Sequence, residues 1–274
     1  DIHPVVAYVY TVIIVGGLIC LVREIFFKRK ADSLNAQRAL GPWKIKGLDL
    51  ALILTFIYIL IFGAGALTME GYKLLYDTEE IAEEHLFILG FPMHVAILAS
   101  LYGFFRYFNL SDDVPLNPVK YLVSGIVGRG FYYFLAIIPI LLAAGFLCPM
   151  VLEFLKLPMD HQDLVTQVLN MGVSPMFFLI TFLAVVMAPI SEELLFRAFI
   201  YRSLKSYTSP KVSAIITSLM FAGMHFNWHS FLPLFLLGLW LCRTYEKTGN
   251  LWVPIVLHAF FNGNTLVTLM LLGS

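Results

Sequence analysis

The sequence predicts an all-α protein: a polytopic membrane helical bundle of about eight transmembrane segments, with the N-terminus outside. Three observations carry this. Of 274 residues, 59% are hydrophobic and only 13% charged, where soluble domains carry about 25% charge; the mean hydropathy is +0.83. The apolar residues fall in runs suited to a ~30 Å hydrocarbon core. Basic residues collect on alternate loops. With spans alternating from an outside N-terminus, every Lys and Arg except Lys73 and Lys156 falls on the inner side, in keeping with the positive-inside rule.

The first span, 5–22, is followed by Arg23 and Lys28-Arg29-Lys30, the polarity of a spanning helix rather than of a cleavable signal peptide. A polar, basic loop over 31–47 contains Gly41-Pro42. The second span is 48–67, and an acidic loop over 70–84 follows it. The third is 86–105, with Pro92 as a kink; a polar loop to Lys120 holds Asp112, Asp113, Pro115 and Pro118. Residues 121–129 read as a short interfacial helix, because Tyr121, Leu122 and Ile126 recur near helical spacing. The fourth span, 131–152, carries Pro139 and Pro149, and a second polar loop covers 153–167. A long apolar stretch from 173 to 207 passes through Pro189. Segments 211–226 and 231–245 are short for the bilayer at ~22 Å each, so residues 226–230 are expected as a buried bend. The last span is 251–272.

This order suggests two units: an N-terminal scaffold of three spans over 1–120, and a functional core over 121–274. Cys20, Cys148 and Cys242 lie singly in apolar segments, with no disulfide or zinc spacing. Zero formal net charge and the lack of a basic tail give no sign of a nucleic-acid partner. The partner expected everywhere is the lipid bilayer.

Against this background Ser191-Glu192-Glu193-Leu194-Leu195-Phe196-Arg197 is an energetic anomaly. Charges inside a membrane segment cost ~2.5–3.5 kcal/mol each on insertion scales. Glu193 and Arg197 are spaced i, i+4 in the favourable order for an ion pair, which leaves Glu192, about 100° away around a helix, free to face a cavity. Ser191 is expected to cap the helix that follows, and Pro189 to break the one before. A carboxylate held between a helix N-terminus and desolvation suits general-base work. Ser209-Pro210 is a turn signal, and both Glu192 and His225 lie ~24 Å from it along helical arms, which puts them at equal depth. His258 and Asn262 share one face of the last span at i, i+4. Arg202, Lys205 and Lys211 form the expected inner rim. Glu193 with Arg197 also fits a purely structural ion pair, and His258 with Asn262 a helix–helix hydrogen bond. His3, His85, His94, His161 and His229 lack such company and read as structural or loop residues. Trp43, Trp228, Trp240 and Trp252 read as interface or packing aromatics.

At these residues the chain resembles the type II CAAX prenyl endopeptidases and their bacterial relatives, the CPBP or ABI family of glutamate-type intramembrane proteases. The family's three motifs stand in order as Glu192-Glu193-Leu194-Leu195-Phe196-Arg197, Phe221-Ala222-Gly223-Met224-His225 and His258-Ala259-Phe260-Phe261-Asn262. The resemblance covers about a third of the chain, 173–264. It implies that Glu192, with His225, activates a water for attack on a peptide carbonyl. His258 and Asn262 would then stabilise the oxyanion, and Arg197 would pair with Glu193 or orient the substrate. It implies no cofactor and no metal, and a lipidated or membrane peptide as substrate, while the loop charges put the opening of the site on the cytoplasmic side of the cell or endoplasmic-reticulum membrane. From the residues alone, one Glu and two His could also bind zinc, although no His-Glu-x-x-His is present. A non-catalytic scaffold or immunity-type protein, and a transporter using Glu192 as a proton relay, are the remaining alternatives.

Overall fold

A computed structural model describes residues 4–27, 40–77, 86–110, 123–157, 172 and 174–272. Their secondary structure is entirely helical. In chain order the helices are α1 (Pro4–Phe26), α2 (Gly47–Tyr76), α3 (Leu86–Tyr107), α4 (Val123–Leu155), α5 (Pro175–Leu204), α6 (Pro210–Gly223), α7 (Trp228–Thr248) and α8 (Trp252–Leu272). Stretches of α1, α2, α4, α5 and α8 are long and apolar enough to cross a membrane. The chain is an integral membrane protein built as a polytopic helical bundle.

Local chemistry sets the helix ends. Ser174 caps α5 by accepting the Phe177 N–H, and Ser209 caps α6 by accepting that of Val212. Each has Pro at the next position, where the missing N–H costs nothing. The Ser209-Pro210 turn is thus present. Asn227 caps α7, which ends at Gly249 with φ 61° and its N–H on the Tyr245 carbonyl, the left-handed stop that glycine adopts without strain. Just beyond, the Asn250 side chain accepts the Trp252 N–H and starts α8.

Helix α1 packs on α4, α2 on α3, and α4 against α7 and α8; α6 pairs with α7, while α3, α6 and α8 surround α5. Among the described residues the main apolar core runs from Leu40 to Leu257, with a smaller cluster around Ile180. The α1–α4 contact depends on Gly17, where a Cβ would sit 2.6 Å from the Leu135 carbonyl oxygen. Gly17→Ala is expected to cost about 1–3 kcal/mol as the backbones are forced apart. Gly16→Ala, with nothing within 4 Å, serves as the control. Thermal denaturation of the detergent-solubilised protein reads both.

Three expectations are corrected. The short helix over 121–129 is not separate: 123–129 form the first turns of α4, which continues for 33 residues. Gly130 does not interrupt it, because its bare Cα faces Val256 of α8, whose Cγ1 would lie 2.5 Å from an added Cβ. Helix α7 has 21 residues, not 15, since Asn227 starts it earlier and it runs on to Thr248; α6, with 14, stays short. The bend between them is not buried in the protein: Phe226 is 75% exposed and Trp228 51%. Arg202 and Lys205, expected at the inner rim, are tied to the 40–46 segment and to α7. Arg202 donates to the Gly41 carbonyl and lies over the Trp43 ring at 4.4 Å, and Lys205 donates to the Leu40 carbonyl and to Glu246. Residues 40–46 therefore strap across the end of α5, with the Trp43 N–H on the Arg202 carbonyl. The loop residues expected over 28–39, 78–85, 111–122 and 158–171, with His3, His85 and His161, lie outside the described residues.

Candidate active site

The site is built on α5, which departs from α-helical geometry twice, over Leu183–Met187 and Glu193–Tyr201, where the turns widen to i→i+5. Pro189 explains the first. It has no N–H, and in an α-helix its ring would crowd the carbonyl four residues earlier. The chain does not break there, as the sequence suggested; it widens, with the Ala188 N–H bonding the Leu183 carbonyl. In that register the carbonyl of Ala184 faces Pro189 and finds no donor. Asn262 of α8 supplies one, its Nδ2 donating to the Ala184 oxygen at 2.7 Å. Wide turns of this kind recur at functional sites. Because α5 is continuous, Glu192 is not at a helix N-terminus. Ser191 caps nothing either: its hydroxyl bonds the Ala188 carbonyl.

Glu193 and Arg197 form the anticipated pair, both fully buried, with Nη1 to Oε1 at 3.0 Å. Arg197 Nη2 donates to the Gly238 carbonyl of α7 at 3.3 Å, and the guanidinium lies 4.5 Å over the Phe221 ring. Gly238 is needed where α6 and α7 cross, since a Cβ there would meet Ser218 at 2.8 Å. His258 of α8 completes the cluster. Its Nδ1 bonds Glu193 Oε1 at 2.9 Å and its Nε2 stands 3.8 Å from Glu192 Oε2. Arg197 and His258 thus both meet the Glu193 carboxylate, giving that buried group the partners it needs.

Glu192 is the odd member. Its Oε2 is buried and has no hydrogen-bond partner among the described residues. At 3.8 Å the gap to His258 is too wide for a direct bond, and such a gap is where a bridging water belongs.

His225 is not brought into a hydrogen bond with Glu192. Its Nδ1 bonds the Phe221 carbonyl at 2.8 Å, which leaves Nε2 as the acceptor in the neutral ring. It reaches the cluster through Phe221, on whose ring His225 and His258 both pack edge-on, at 5.1 and 5.7 Å. Equal depth along two arms did not fix rotation, and the histidine that meets the glutamates is His258.

One residue that reads as solitary in the sequence acquires a partner. His94 of α3 bonds the Ser191 hydroxyl through Nδ1 at 2.7 Å. The available signal was a histidine inside an uncharged span. Among the described residues no group of three or more His, Cys, Asp or Glu side chains is arranged to hold a metal ion.

Comparison with known proteins agrees on this region. Residues 174–264 match the family model described as type II CAAX prenyl endopeptidase Rce1-like. The UPF0177 protein YxdF of Lactococcus lactis subsp. lactis (strain IL1403) is 35% identical over 79 residues, covering 28% of this chain and 42% of that protein. The Bacillus subtilis (strain 168) protein named "Putative membrane peptidase YdiL" is 31% identical over 85 residues, covering 31% of this chain and 34% of its own. The chain thus spans less than half the length of either curated relative. No solved structure matches it. The matched stretch holds Glu192, Glu193, Arg197, His225, His258 and Asn262 together, and over residues 174–264 this chain is similar to the Rce1-like type II CAAX prenyl endopeptidase family.

Proposed function

We propose that the protein is an intramembrane endopeptidase in which Glu192 activates a water to hydrolyse a peptide bond. The observation that carries this is the buried, unpartnered Oε2 of Glu192 facing His258 Nε2 across 3.8 Å, inside the stretch that matches the family. Glu192 takes a proton from the water, whose oxygen adds to the peptide carbonyl carbon. The negative charge on the carbonyl oxygen is met by Nε2–H of His258 in its protonated form, and by the Asn262 amide hydrogen not given to Ala184. Donors of this kind are worth ~2.7–4 kcal/mol each. The proton held by Glu192 then passes to the departing amine as the C–N bond breaks, giving a carboxylic acid and an amine. His225, through its free Nε2, is a second acceptor for the same water. Glu193 and Arg197 fix the orientation of His258, and no metal enters the step.

The substrate proposed is a peptide whose lipid stays in the bilayer, such as a prenylated CAAX terminus losing its last three residues, reached from the cytoplasmic side. In this reading residues 121–274 form the catalytic core and 1–120 a scaffold, with the N-terminus outside. Incubating the purified protein with a farnesylated CAAX peptide, and separately with a mixed peptide library, tests the reading by product mass. Cleavage of the lipidated peptide supports it in full. Cleavage of library peptides alone keeps the protease and removes the prenyl substrate. No cleavage of either sinks it.

A further inference from the structure

His94 lies outside the stretch that matches the family, on a helix the sequence assigned to a scaffold. Its ring nitrogen is 2.7 Å from the Ser191 hydroxyl, and that hydroxyl is also 3.1 Å from the Ala188 carbonyl. A hydroxyl has one proton to give. Given to Ala188, it leaves the oxygen as acceptor, so His94 Nδ1–H is the donor. Ser191 is fully buried and immediately precedes Glu192. One turn before His94, Gly90 lets α3 approach α5: a Cβ there would lie 2.5 Å from Cδ2 of Leu183, where the first wide turn begins. Gly90 and His94, at i and i+4, share a face.

The α-helical stretch that carries Glu192, together with the wide turn before it, is thus clamped from two sides. Asn262 of α8 takes the Ala184 carbonyl that Pro189 leaves without a donor, and His94 of α3 takes Ser191. Clamping matters because the α-helical stretch Ala188–Glu192 follows directly on the wide turn over Leu183–Met187. If that turn closed to α-helical register, everything after it would rotate by one residue, about 100°, and Glu192 would leave His258. We infer that His94 is a positioning residue for Glu192, acting through the Ser191 hydroxyl, and that α3 is part of the functional site rather than only its frame. The inference rests on Glu192 being the working carboxylate, as proposed above.

The test uses the purified protein and two independent readouts. Dicyclohexylcarbodiimide adds to membrane-buried carboxyl groups, and fragment masses separate its adduct on Glu192 from one on Glu193. His94→Ala and Ser191→Ala are each expected to change the labelling rate of Glu192 by about threefold or more, and the double variant no further than either single one, because one hydrogen bond is removed in each case. His94→Asn, whose amide N–H reaches the same hydroxyl, should restore the parent rate. Where the parent cleaves peptide, His94→Ala should lower kcat about tenfold or more with KM within about twofold.

Labelling of His94→Ala at the parent rate overturns the inference, and so does failure of His94→Asn to restore it. Should His94→Ala not fold, Ser191→Ala decides: unchanged labelling of Glu192 overturns the inference, and changed labelling supports it. Labelling does not depend on cleavage, so a parent that cuts nothing sinks the proposed function while His94 is still decided.

Discussion

Glu192→Gln is expected to abolish cleavage of any peptide the parent protein cuts, with kcat down by about 10²–10⁴-fold, the range a general base contributes. The substitution keeps the shape of the side chain and removes only its ability to hold a proton. Stability should survive, because Glu192 Oε2 has no hydrogen-bond partner among the described residues to lose. The thermal midpoint is therefore expected close to that of the parent. Product mass against time, with a melting curve on the same sample, separates this result from misfolding. A rate within about tenfold of the parent in a folded protein contradicts the assigned role. A non-catalytic scaffold makes the opposite prediction, since its biological effect would survive the change.

Much of the frame was legible in the sequence, because apolar runs and capping residues are local signals. Ser209-Pro210 and Asn250 mark helix starts on the strength of their own side chains. What was not legible depends on contacts between distant residues. Pro189 reads as a break, and becomes a wide turn only because Asn262 supplies the donor that the Ala184 carbonyl lacks, 78 positions away. His94 reads as an ordinary core histidine, and its partner Ser191 is 97 residues along the chain. The depth argument placed Glu192 and His225 on one level, which distance from a turn can do. It could not supply the rotation of each arm, so it could not show that His258, 65 residues from Glu193, would be the ring that bridges the two glutamates. Nothing in the 40–46 segment announces that it will fold back over Arg202.

The Glu193–Arg197 pair gives the second large effect, this time on stability. Arg197→Met leaves the fully buried Glu193 carboxylate with His258 as its only charged partner among the described residues, and strips the Gly238 carbonyl of its donor. Breaking a buried pair by removing one member costs about 3–5 kcal/mol, whereas replacing both members with neutral groups of similar volume is often close to neutral. Arg197→Met alone is therefore expected to lower the unfolding midpoint sharply, and Glu193→Gln with Arg197→Met to recover most of the loss. Arg197→Lys should not recover it, because a single ammonium cannot reproduce the two divergent N–H contacts to Glu193 and Gly238 or the flat guanidinium over Phe221. Unfolding in detergent of the three variants and the parent measures this. If the double variant is as unstable as Arg197→Met, the pair is not what makes that position costly. Activity should not return with stability in the double variant, since the amide that replaces the Glu193 carboxylate brings no negative charge to the His258 ring. Stability regained without cleavage would separate the pair's structural contribution from its service to His258.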